Sequence, residues 1–141
     1  MSRSDAFVFS IAPTWVRAIL DGTKTVELRR RPPSLVKASL ALIYETAPSK
    51  RISSICFMGP TVSAGVDQIW ERFGRVSAVT EPRFRSYFKG RTSAHAILIS
   101  RVTALGEPIA LSELRAVAAF RPPQSWCRAA PTLVGLVLAR T

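Results

Sequence analysis

The sequence predicts a single α+β domain in which a small barrel-like sheet is surrounded by short helices. The chain has 141 residues, a usual size for one domain with a core of its own. Hydrophobic residues make up 48% of it and charged residues 21%, which is typical of globular proteins and excludes a disordered tail. Short strand patterns and short amphipathic helical patterns are intermixed along the chain, without a repeat or a linker. Elements mixed in this way pack as a sheet with helices against it.

The first three elements are predicted to be a strand, a helix and a second strand. Residues 7–11 alternate apolar side chains and predict a strand, and a proline begins a helix over residues 13–20. Gly22 ends this helix, and the β-branched residues that follow it favour a strand over residues 25–31. Two prolines then stop that strand, because proline has no backbone N–H to donate.

The middle of the chain is predicted to hold two buried strands and two helices. The strongly apolar runs 40–46 and 52–58 predict the strands, and Gly59-Pro60 is expected to break the second one. Residues 67–73 and 81–88 have helical patterns.

The last third begins with the longest predicted strand, residues 94–105, and Gly106 is expected to begin its exit. Helices are predicted over residues 111–119 and 122–127. The apolar run 133–139 fits a strand or a helix, and its type stays open. It is too short to span a bilayer.

The net charge and the two cysteines limit the classes of function that the protein can have. A formal net charge of +11 implies a strong positive potential, for which nucleic acid is the commonest partner, but it does not indicate catalysis. Cys56 and Cys127 are far apart and form no CxxC pair, so neither a zinc site nor a disulfide framework is predicted. Asp5 and Pro13 interrupt the amino-terminal apolar stretch, so we expect no signal peptide and a cytoplasmic protein with reduced thiols.

The most informative stretch runs from Gly22 to Arg31 and contains a lysine, a glutamate and three consecutive arginines. On a strand, side chains alternate between two faces. One face then carries four polar residues: Thr25, Glu27, Arg29 and Arg31. Two interpretations remain open. This face presents a carboxylate between cations to an anionic, hydrogen-bonding ligand, or it is a solvated face on which Glu27 only neutralises Arg29.

A second basic run contains an aromatic residue, as expected of a groove for single-stranded nucleic acid. It consists of Arg83, Arg85, Tyr87, Lys89 and Arg91. The three arginines at positions 29–31 are predicted to form the opposing wall. Phe84 and Phe88, four residues apart on a helix, are predicted to enter the core, which leaves the cations outward.

The acids and the single histidine restrict the chemistry of any active site. His95 is the only histidine, so a pair of histidines is excluded, and its apolar strand predicts a packed core or edge residue. The nine acids are scattered, and only Asp67 and Glu71 share a helix face, so no protein-bound metal cluster is predicted. Any Mg²⁺ or Mn²⁺ would be held weakly or carried by RNA, and no organic cofactor is expected.

Several short motifs, in the right order along nearly the whole chain, resemble the ASCH domains of the PUA-like superfamily, and in particular the small stand-alone proteins of prokaryotes. The run from Gly22 to Arg29 resembles the family's GxKxxExR signature. Further matching segments are Leu42-Ile43-Tyr44, Pro48-Ser49-Lys50, Ile69-Trp70-Glu71-Arg72, Tyr87-Phe88-Lys89-Gly90, Pro108-Ile109, Leu111-Ser112-Glu113-Leu114-Arg115 and Pro122-Pro123-Gln124-Ser125.

The resemblance implies one ASCH (PUA-like) domain over residues 1–141, with a β-barrel of five to six strands, flanking α-helices and a cleft for RNA. One group in the family is described as cleaving single-stranded RNA with help from a divalent metal, and its catalytic residues match Tyr44, Lys50 and Ser125. The positions expected to contact RNA or another ligand are Lys24, Glu27, Arg29, Arg31, Arg85, Lys89 and Arg91. Another group removes acyl groups from a modified cytidine. Lys24 matches that group, but Glu27 stands where its threonine would be, which counts against this activity.

The sequence therefore predicts an RNA-binding protein that is a weak, metal-assisted ribonuclease. In this interpretation Lys50 stabilises charge on phosphorus, Ser125 holds a phosphate oxygen from the start of a helix, and Tyr44 stacks on a base or passes a proton. The alternative is a reader of RNA or of a modified nucleoside that uses Lys24, Glu27 and Arg29 without catalysis. An amidohydrolase of acylated cytidine is the third and less favoured hypothesis.

Overall fold

Residues 5–141 are described by a computed structural model, which contains six strands and five α-helices. The strands are β1 (Phe7–Ile11), β2 (Val26–Leu28), β3 (Ser39–Glu45), β4 (Arg51–Gly65), β5 (Ser93–Ala110) and β6 (Trp126–Arg128). The helices are α1 (Pro13–Asp21), α2 (Val66–Phe73), α3 (Glu81–Tyr87), α4 (Leu111–Ala118) and α5 (Pro131–Leu138), with a 3₁₀ turn at Gly74–Val76. None of these helices is both long enough and apolar enough to cross a membrane.

The strands form one mixed sheet in the order β2-β5-β4-β3-β1-β6. β1 and β3 are parallel, and the other neighbouring pairs are antiparallel. The sheet does not close through a backbone ladder, since β2 and β6 are its edges. Side chains join the two edges instead: the Trp126 indole N–H donates to the Arg31 carbonyl at 2.9 Å. The predicted α+β fold is therefore confirmed, and the sheet is barrel-like but open.

Alternation along the central strands divides the core between the two faces of the sheet. One face packs under α4 and α5 and includes Val8, Leu42, Tyr44, Leu114, Phe120, Leu133 and Val137. The other face packs under α1 and includes Phe7, Phe9, Ile11, Val16, Ile19, Ile43 and Ile97. A third cluster under α2 and α3 contains Phe84 and Phe88, each 1% exposed, so their predicted core position is confirmed.

Most predicted elements are present, with ends that differ by a few residues. The first strand, the helix after it, the three later helices and the buried strands at 40–46 and 52–58 are all confirmed. Gly22 ends α1 in the left-handed conformation, at φ 87°, as its position predicted. The open segment 133–139 lies in α5. Residues 1–4, on which the expectation of no signal peptide partly depends, lie outside the described residues.

Three predictions of element boundaries are wrong. Gly59-Pro60 does not end its strand, because β4 continues to Gly65 after a register shift against β5. Gly106 does not end β5, which continues to Ala110 opposite Arg51. Irregular pairing lets both strands pass residues that break a regular ladder. The strand predicted over residues 25–31 is limited to Val26–Leu28.

The helix predicted over residues 122–127 is also wrong. This segment is irregular and then forms β6, in which Trp126 and Cys127 pair with Phe9 and Val8 of β1. Pairing with a distant strand overrides the local signal from the two prolines.

Two glycine substitutions test how the backbone is constrained. A methyl group on Gly59, whose φ is +125°, would collide with the Lys37 carbonyl, so we expect Gly59→Ala to lower the free energy of unfolding by about 2 kcal/mol or more. Gly135 lies inside α5 with nothing near its Cβ position, and Gly135→Ala should raise stability by about 0.5–1 kcal/mol. Urea unfolding of both variants measures the difference, and equal midpoints would contradict it.

Candidate functional site

A buried set of charges lies at β2, where the sequence placed its most informative run. Lys24, Glu27 and Arg29 are 3%, 7% and 9% exposed. The Glu27 carboxylate accepts a hydrogen bond from Arg29 Nε at 2.8 Å, and its other oxygen lies 3.6 Å from Lys24 Nζ. Glu27 therefore neutralises Arg29 as one interpretation held, but inside the protein and not on a solvated face.

Arg29 joins three separate segments of the sheet. Its Nη2 donates to the Ser10 carbonyl on β1 at 2.9 Å, and its Nη1 donates to the Ser125 hydroxyl at 2.8 Å and to the Ser125 carbonyl at 3.3 Å. Its guanidinium also lies over the Phe9 ring, 5.5 Å from the centroid. The planar fork of arginine suits this set of acceptors, since lysine cannot direct several donors at fixed angles.

Lys24 is held by a backbone oxygen and an aromatic ring as well as by Glu27. Its ammonium donates to the Ser77 carbonyl at 2.7 Å and lies 5.4 Å from the centroid of Trp15. Burial lowers the pKa of Lys24, and the charge of Glu27 opposes that shift. The amine is therefore closer to losing its proton than a solvated lysine.

The first cavity beside these charges, which we call the aromatic cavity, has a volume of about 300 Å³. Its lining residues are Trp15, Lys24, Glu27, Leu28, Arg29, Val79, Arg83, Phe84 and Tyr87. Aromatic walls around a carboxylate and an ammonium fit a flat ring that carries hydrogen-bonding groups.

A second cavity, which we call the arginine cleft, adjoins the first and has a volume of about 460 Å³. Its lining residues are Arg29, Arg30, Arg31, Tyr87, Arg91, Gln124 and Ser125. None of them is acidic, so the cleft presents cationic charge next to a serine hydroxyl. Arg29 and Tyr87 line both cavities, so the two cavities are neighbours that share these two residues.

Tyr87 positions the wall between the two cavities. Its hydroxyl accepts a hydrogen bond from the Arg30 backbone N–H at 3.1 Å, and the Arg30 guanidinium lies 4.7 Å from its ring centroid. The three arginines and part of the second basic run therefore face one cleft.

The second basic run is divided among different surroundings. Arg83 lines the aromatic cavity and Arg91 lines the arginine cleft. The Arg85 side chain turns outward and bonds to Asp67 and to Glu81, and it lines neither cavity. Lys89 is exposed, and it also lies outside the lining of both cavities. Contact of Arg85 and Lys89 with RNA stays a prediction.

The three residues matched to catalytic positions lie in different surroundings. Ser125 lines the arginine cleft immediately before β6. Tyr44 is 4% exposed and packs against Phe120, with ring centroids 5.7 Å apart. Lys50 is exposed in the turn after β3, at φ 49°. Neither Tyr44 nor Lys50 lines the cleft, and their catalytic roles stay predictions.

Ser10 connects two of these residues through the sheet. It is the register partner of Tyr44 in β3, and its backbone N–H donates to the Ser125 carbonyl at 3.0 Å. Tyr44 and Ser125 thus flank one residue of β1. The idea that Ser125 begins a helix is wrong, because β6 follows it. Burial raises the pKa of Tyr44, so its phenol is protonated at neutral pH.

The described residues do not offer a donor set for a metal ion. Between positions 5 and 141, no group of three or more His, Cys, Asp or Glu side chains is placed to hold one. Cys56 is buried in the core, and burial raises its pKa to about 12. His95 is partly buried at the edge of a cavity, with Nδ1 2.8 Å from the Ser63 hydroxyl.

Sequence reasoning missed three participants in the site. The carbonyls of Ser10 and Ser77 hold Arg29 and Lys24, and a backbone oxygen carries no signal in the sequence. Trp15 lies on the amphipathic helix α1, where the apolar spacing indicates a core side chain, but it also lines the aromatic cavity. The positions of Lys24 and Arg83 near the Trp15 ring could not be predicted from the sequence, because only the fold brings them together.

Replacing Arg29 by lysine tests whether its fork holds the sheet edges together. We expect Arg29→Lys to lower the free energy of unfolding by about 2–4 kcal/mol, because buried acceptors on Ser10, Ser125 and Glu27 lose their donors. The matched control is Arg31→Lys, because the Arg31 side chain is exposed. This substitution should change the free energy of unfolding by less than about 0.5 kcal/mol. Equal urea midpoints for the two variants would refute the structural role of Arg29.

Comparison with known proteins identifies the family. No protein-family model matches the chain. A relative from Zymomonas mobilis subsp. mobilis, named an ASCH domain-containing ribonuclease, is 36% identical over 124 residues, which cover 86% of this chain and 83% of that protein. A crystal structure of ASCH from Zymomonas mobilis has a TM-score of 0.89 at 32% identity, and covers 96% of this chain and 94% of that one.

Further solved structures agree with this fold. Two are variants of the same Zymomonas mobilis protein, one with a tyrosine changed to phenylalanine and one with a serine changed to alanine; both have a TM-score of 0.89, at 31% and 30% identity. The alignments cover 96% and 99% of this chain and 97% and 98% of theirs. The identity and coverage of the Zymomonas mobilis relative show that this chain belongs to the ASCH domain family.

Proposed function

We propose that this protein binds single-stranded RNA in the arginine cleft and cleaves it slowly, as a ribonuclease. The observation that carries the proposal is the cleft itself: four arginines and a serine hydroxyl line it, and no lining residue is acidic. The relative named a ribonuclease supports the choice of RNA.

The chemistry of the cleft suits the backbone of a single strand. Guanidinium groups bind phosphate oxygens through two parallel hydrogen bonds, and their flat faces stack on bases. Arg30 and Tyr87 already stack on one another, so they present a platform for a base beside the phosphate contacts. Arg31 and Arg91 are exposed at the cleft and need no rearrangement to reach a strand.

We assign the catalytic roles to Tyr44, Lys50 and Ser125. In the two solved variants of the relative, the changed tyrosine and serine are separated by the same number of residues as Tyr44 and Ser125, which supports this pair. Lys50 is exposed in the turn after β3 and does not line the cleft, so its assignment requires the phosphate held at Ser125 to lie within reach of this turn.

The reaction uses the 2′-hydroxyl of the RNA as its nucleophile. The 2′-hydroxyl gives its proton to water as its oxygen bonds to phosphorus, the bond from phosphorus to the 5′-oxygen breaks, and this leaving oxygen takes up a proton. The extra negative charge that forms on phosphorus needs cationic stabilisation. Lys50 and the cleft arginines supply that charge. The Tyr44 phenol holds its proton at neutral pH, so in the proposal it donates a proton to the leaving oxygen and does not act as a base. Because Tyr44 is 4% exposed and packs against Phe120, this step requires the bound RNA to displace the Phe120 segment.

A metal ion bound by protein groups does not fit the residues present. Among the described residues, Glu27 is the carboxylate that forms an ion pair with a residue lining the cleft, Arg29, and it also lies beside Lys24. No step of the proposal therefore passes through a metal, and Mg²⁺ or Mn²⁺ would have to be held by the RNA phosphates.

A cleavage assay with matched lysine variants tests the enzyme. End-labelled single-stranded RNA is incubated with wild type, Lys50→Ala and Lys37→Ala, each with and without Mg²⁺ or Mn²⁺. Lys37 is an exposed lysine that lines neither cavity, so its variant controls for lost charge and for contaminating ribonuclease. We expect Lys50→Ala to reduce cleavage by about 100-fold or more and Lys37→Ala to leave it unchanged.

The DNA strand of the same sequence should stay intact, because it lacks the 2′-hydroxyl. Equal cleavage of RNA by both variants would contradict the assignment of Lys50.

The salt dependence of binding tests the cleft. For about four phosphate contacts, the slope of log affinity against log salt should be near −3, at roughly −0.7 per contact. Arg31→Gln should make the slope less steep by about 0.7, whereas Arg72→Gln, on α2 outside both cavities, should not change it. Fluorescence anisotropy of labelled RNA at several salt concentrations measures these slopes. A flat dependence in the wild type would refute the groove.

The aromatic cavity favours a second candidate function, a reader of RNA or of a modified nucleoside that does not cleave. Trp15 and Tyr87 provide flat walls, and Glu27 and Lys24 face the same space with an acceptor and a donor. Salt-dependent binding without cleavage would support this function over the ribonuclease. An amidohydrolase is disfavoured, because Glu27 replaces the threonine expected there, and hydrolysis of a free acylated cytidine would be needed to establish it.

A further inference from the structure

A third cavity lies on the other side of the Arg30–Arg31 segment, with a volume of about 380 Å³. We call it the histidine cavity, because His95 lines it together with Ser63. Arg30 and Arg31 line both this cavity and the arginine cleft. The two spaces are thus separated only by a ridge of cationic side chains.

The strand register places the polar groups of this cavity on one side of the sheet. Ser63 of β4 is the direct partner of His95 in β5, and the Ser63 hydroxyl lies 2.8 Å from His95 Nδ1. The backbone N–H of Arg29 donates to the His95 carbonyl at 3.2 Å, which fixes the arginine segment beside this pair.

The charges around the histidine cavity are all positive. Arg30 and Arg31 line it, no lining residue is acidic, and Arg91 is near enough to affect His95. Burial, together with Arg91, lowers the pKa of His95, so the imidazole is neutral at neutral pH. An anion entering this cavity meets two guanidinium groups and no opposing carboxylate.

We propose that the histidine cavity is a second phosphate-binding subsite, through which a single RNA strand continues beyond the arginine cleft. The inference rests on the proposed binding of RNA in that cleft and extends it by one subsite. An RNA strand that crosses the ridge contacts Arg30 and Arg31 from both sides. Its next phosphate then contacts Ser63 and His95.

The hydroxyl and imidazole form a donor for a phosphate oxygen. When the neutral imidazole carries its hydrogen on Nδ1, it donates to the Ser63 oxygen, and the hydroxyl hydrogen of Ser63 is then free to be donated to phosphate. Ser63 is exposed and the pair lies at the surface, so this hydrogen bond is accessible to a strand.

The single histidine gives the test a clean signal. His95 is the only imidazole in the chain, so its ring resonances in an NMR spectrum are unambiguous. The wild type is titrated with a trinucleotide and with a single-stranded RNA of about ten nucleotides, within the range of single-strand binding sites. We expect the longer RNA to shift the His95 ring resonances. The trinucleotide, held in the arginine cleft, should shift them little.

Affinities of variants provide the second readout. Ser63→Ala and His95→Gln should weaken binding of the longer RNA about 3- to 10-fold, the effect of one lost hydrogen bond, and leave the trinucleotide unaffected. The matched control is Ser93→Ala. Ser93 is exposed, lies on β5 as His95 does, and lines none of the three cavities. Urea unfolding of each variant checks that the fold is retained.

The outcomes separate this inference from the proposed function. One outcome would refute the subsite and leave binding in the arginine cleft intact. In it, the longer RNA binds with the expected salt slope, the His95 resonances do not shift, and Ser63→Ala and His95→Gln bind with the affinity of the wild type. If the wild type binds no RNA of either length, the proposed function fails and the subsite with it.

Discussion

The buried pair of Arg29 and Glu27 is the interaction on which the rest of the structure depends. The sheet has two free edges, β2 and β6, and no backbone ladder joins them. Arg29 follows the edge strand β2, and it donates a hydrogen bond to Ser125, which precedes the other edge strand, β6. Glu27 supplies the negative charge that allows the Arg29 guanidinium to be buried. Burying ions is costly unless they are paired and hydrogen-bonded, and here each of the three guanidinium nitrogens has an acceptor.

This pairing also determines the electrostatics of the surface. Glu27 is the acid of the arginine-rich run, and its carboxylate faces inward, toward Arg29 and Lys24. The neighbouring side chains of Arg30 and Arg31 therefore face the cleft without a compensating charge. A polyanion that enters the cleft meets these exposed guanidinium groups, and no carboxylate in the lining repels it. The same short segment thus joins the two edges of the sheet and lines the cleft in which we propose that RNA binds.

Local patterns predicted the parts of this arrangement that depend on neighbouring residues. Alternation placed Glu27 and Arg29 on one face, and helical spacing placed Phe84 and Phe88 in the core. The remainder depends on pairing between distant segments. β6 exists because Trp126 and Cys127 pair with β1, and β4 passes Gly59-Pro60 because β5 continues beside it. The division of the second basic run, with Arg85 turned toward two acids, likewise required the packing of α3 against α2.

The geometry at Ser125 limits the role that a serine can have there. Its hydroxyl oxygen accepts a hydrogen bond from the Arg29 guanidinium, which has hydrogen-bond donors and no acceptor. Serine becomes a nucleophile when an adjacent base removes its proton, and a guanidinium does the opposite by holding the oxygen as an acceptor. The hydroxyl hydrogen remains available, and it points naturally to an acceptor such as a phosphate oxygen. Ser125 is therefore suited to position a phosphate for attack by another group, which agrees with the proposed attack by the 2′-hydroxyl of the RNA.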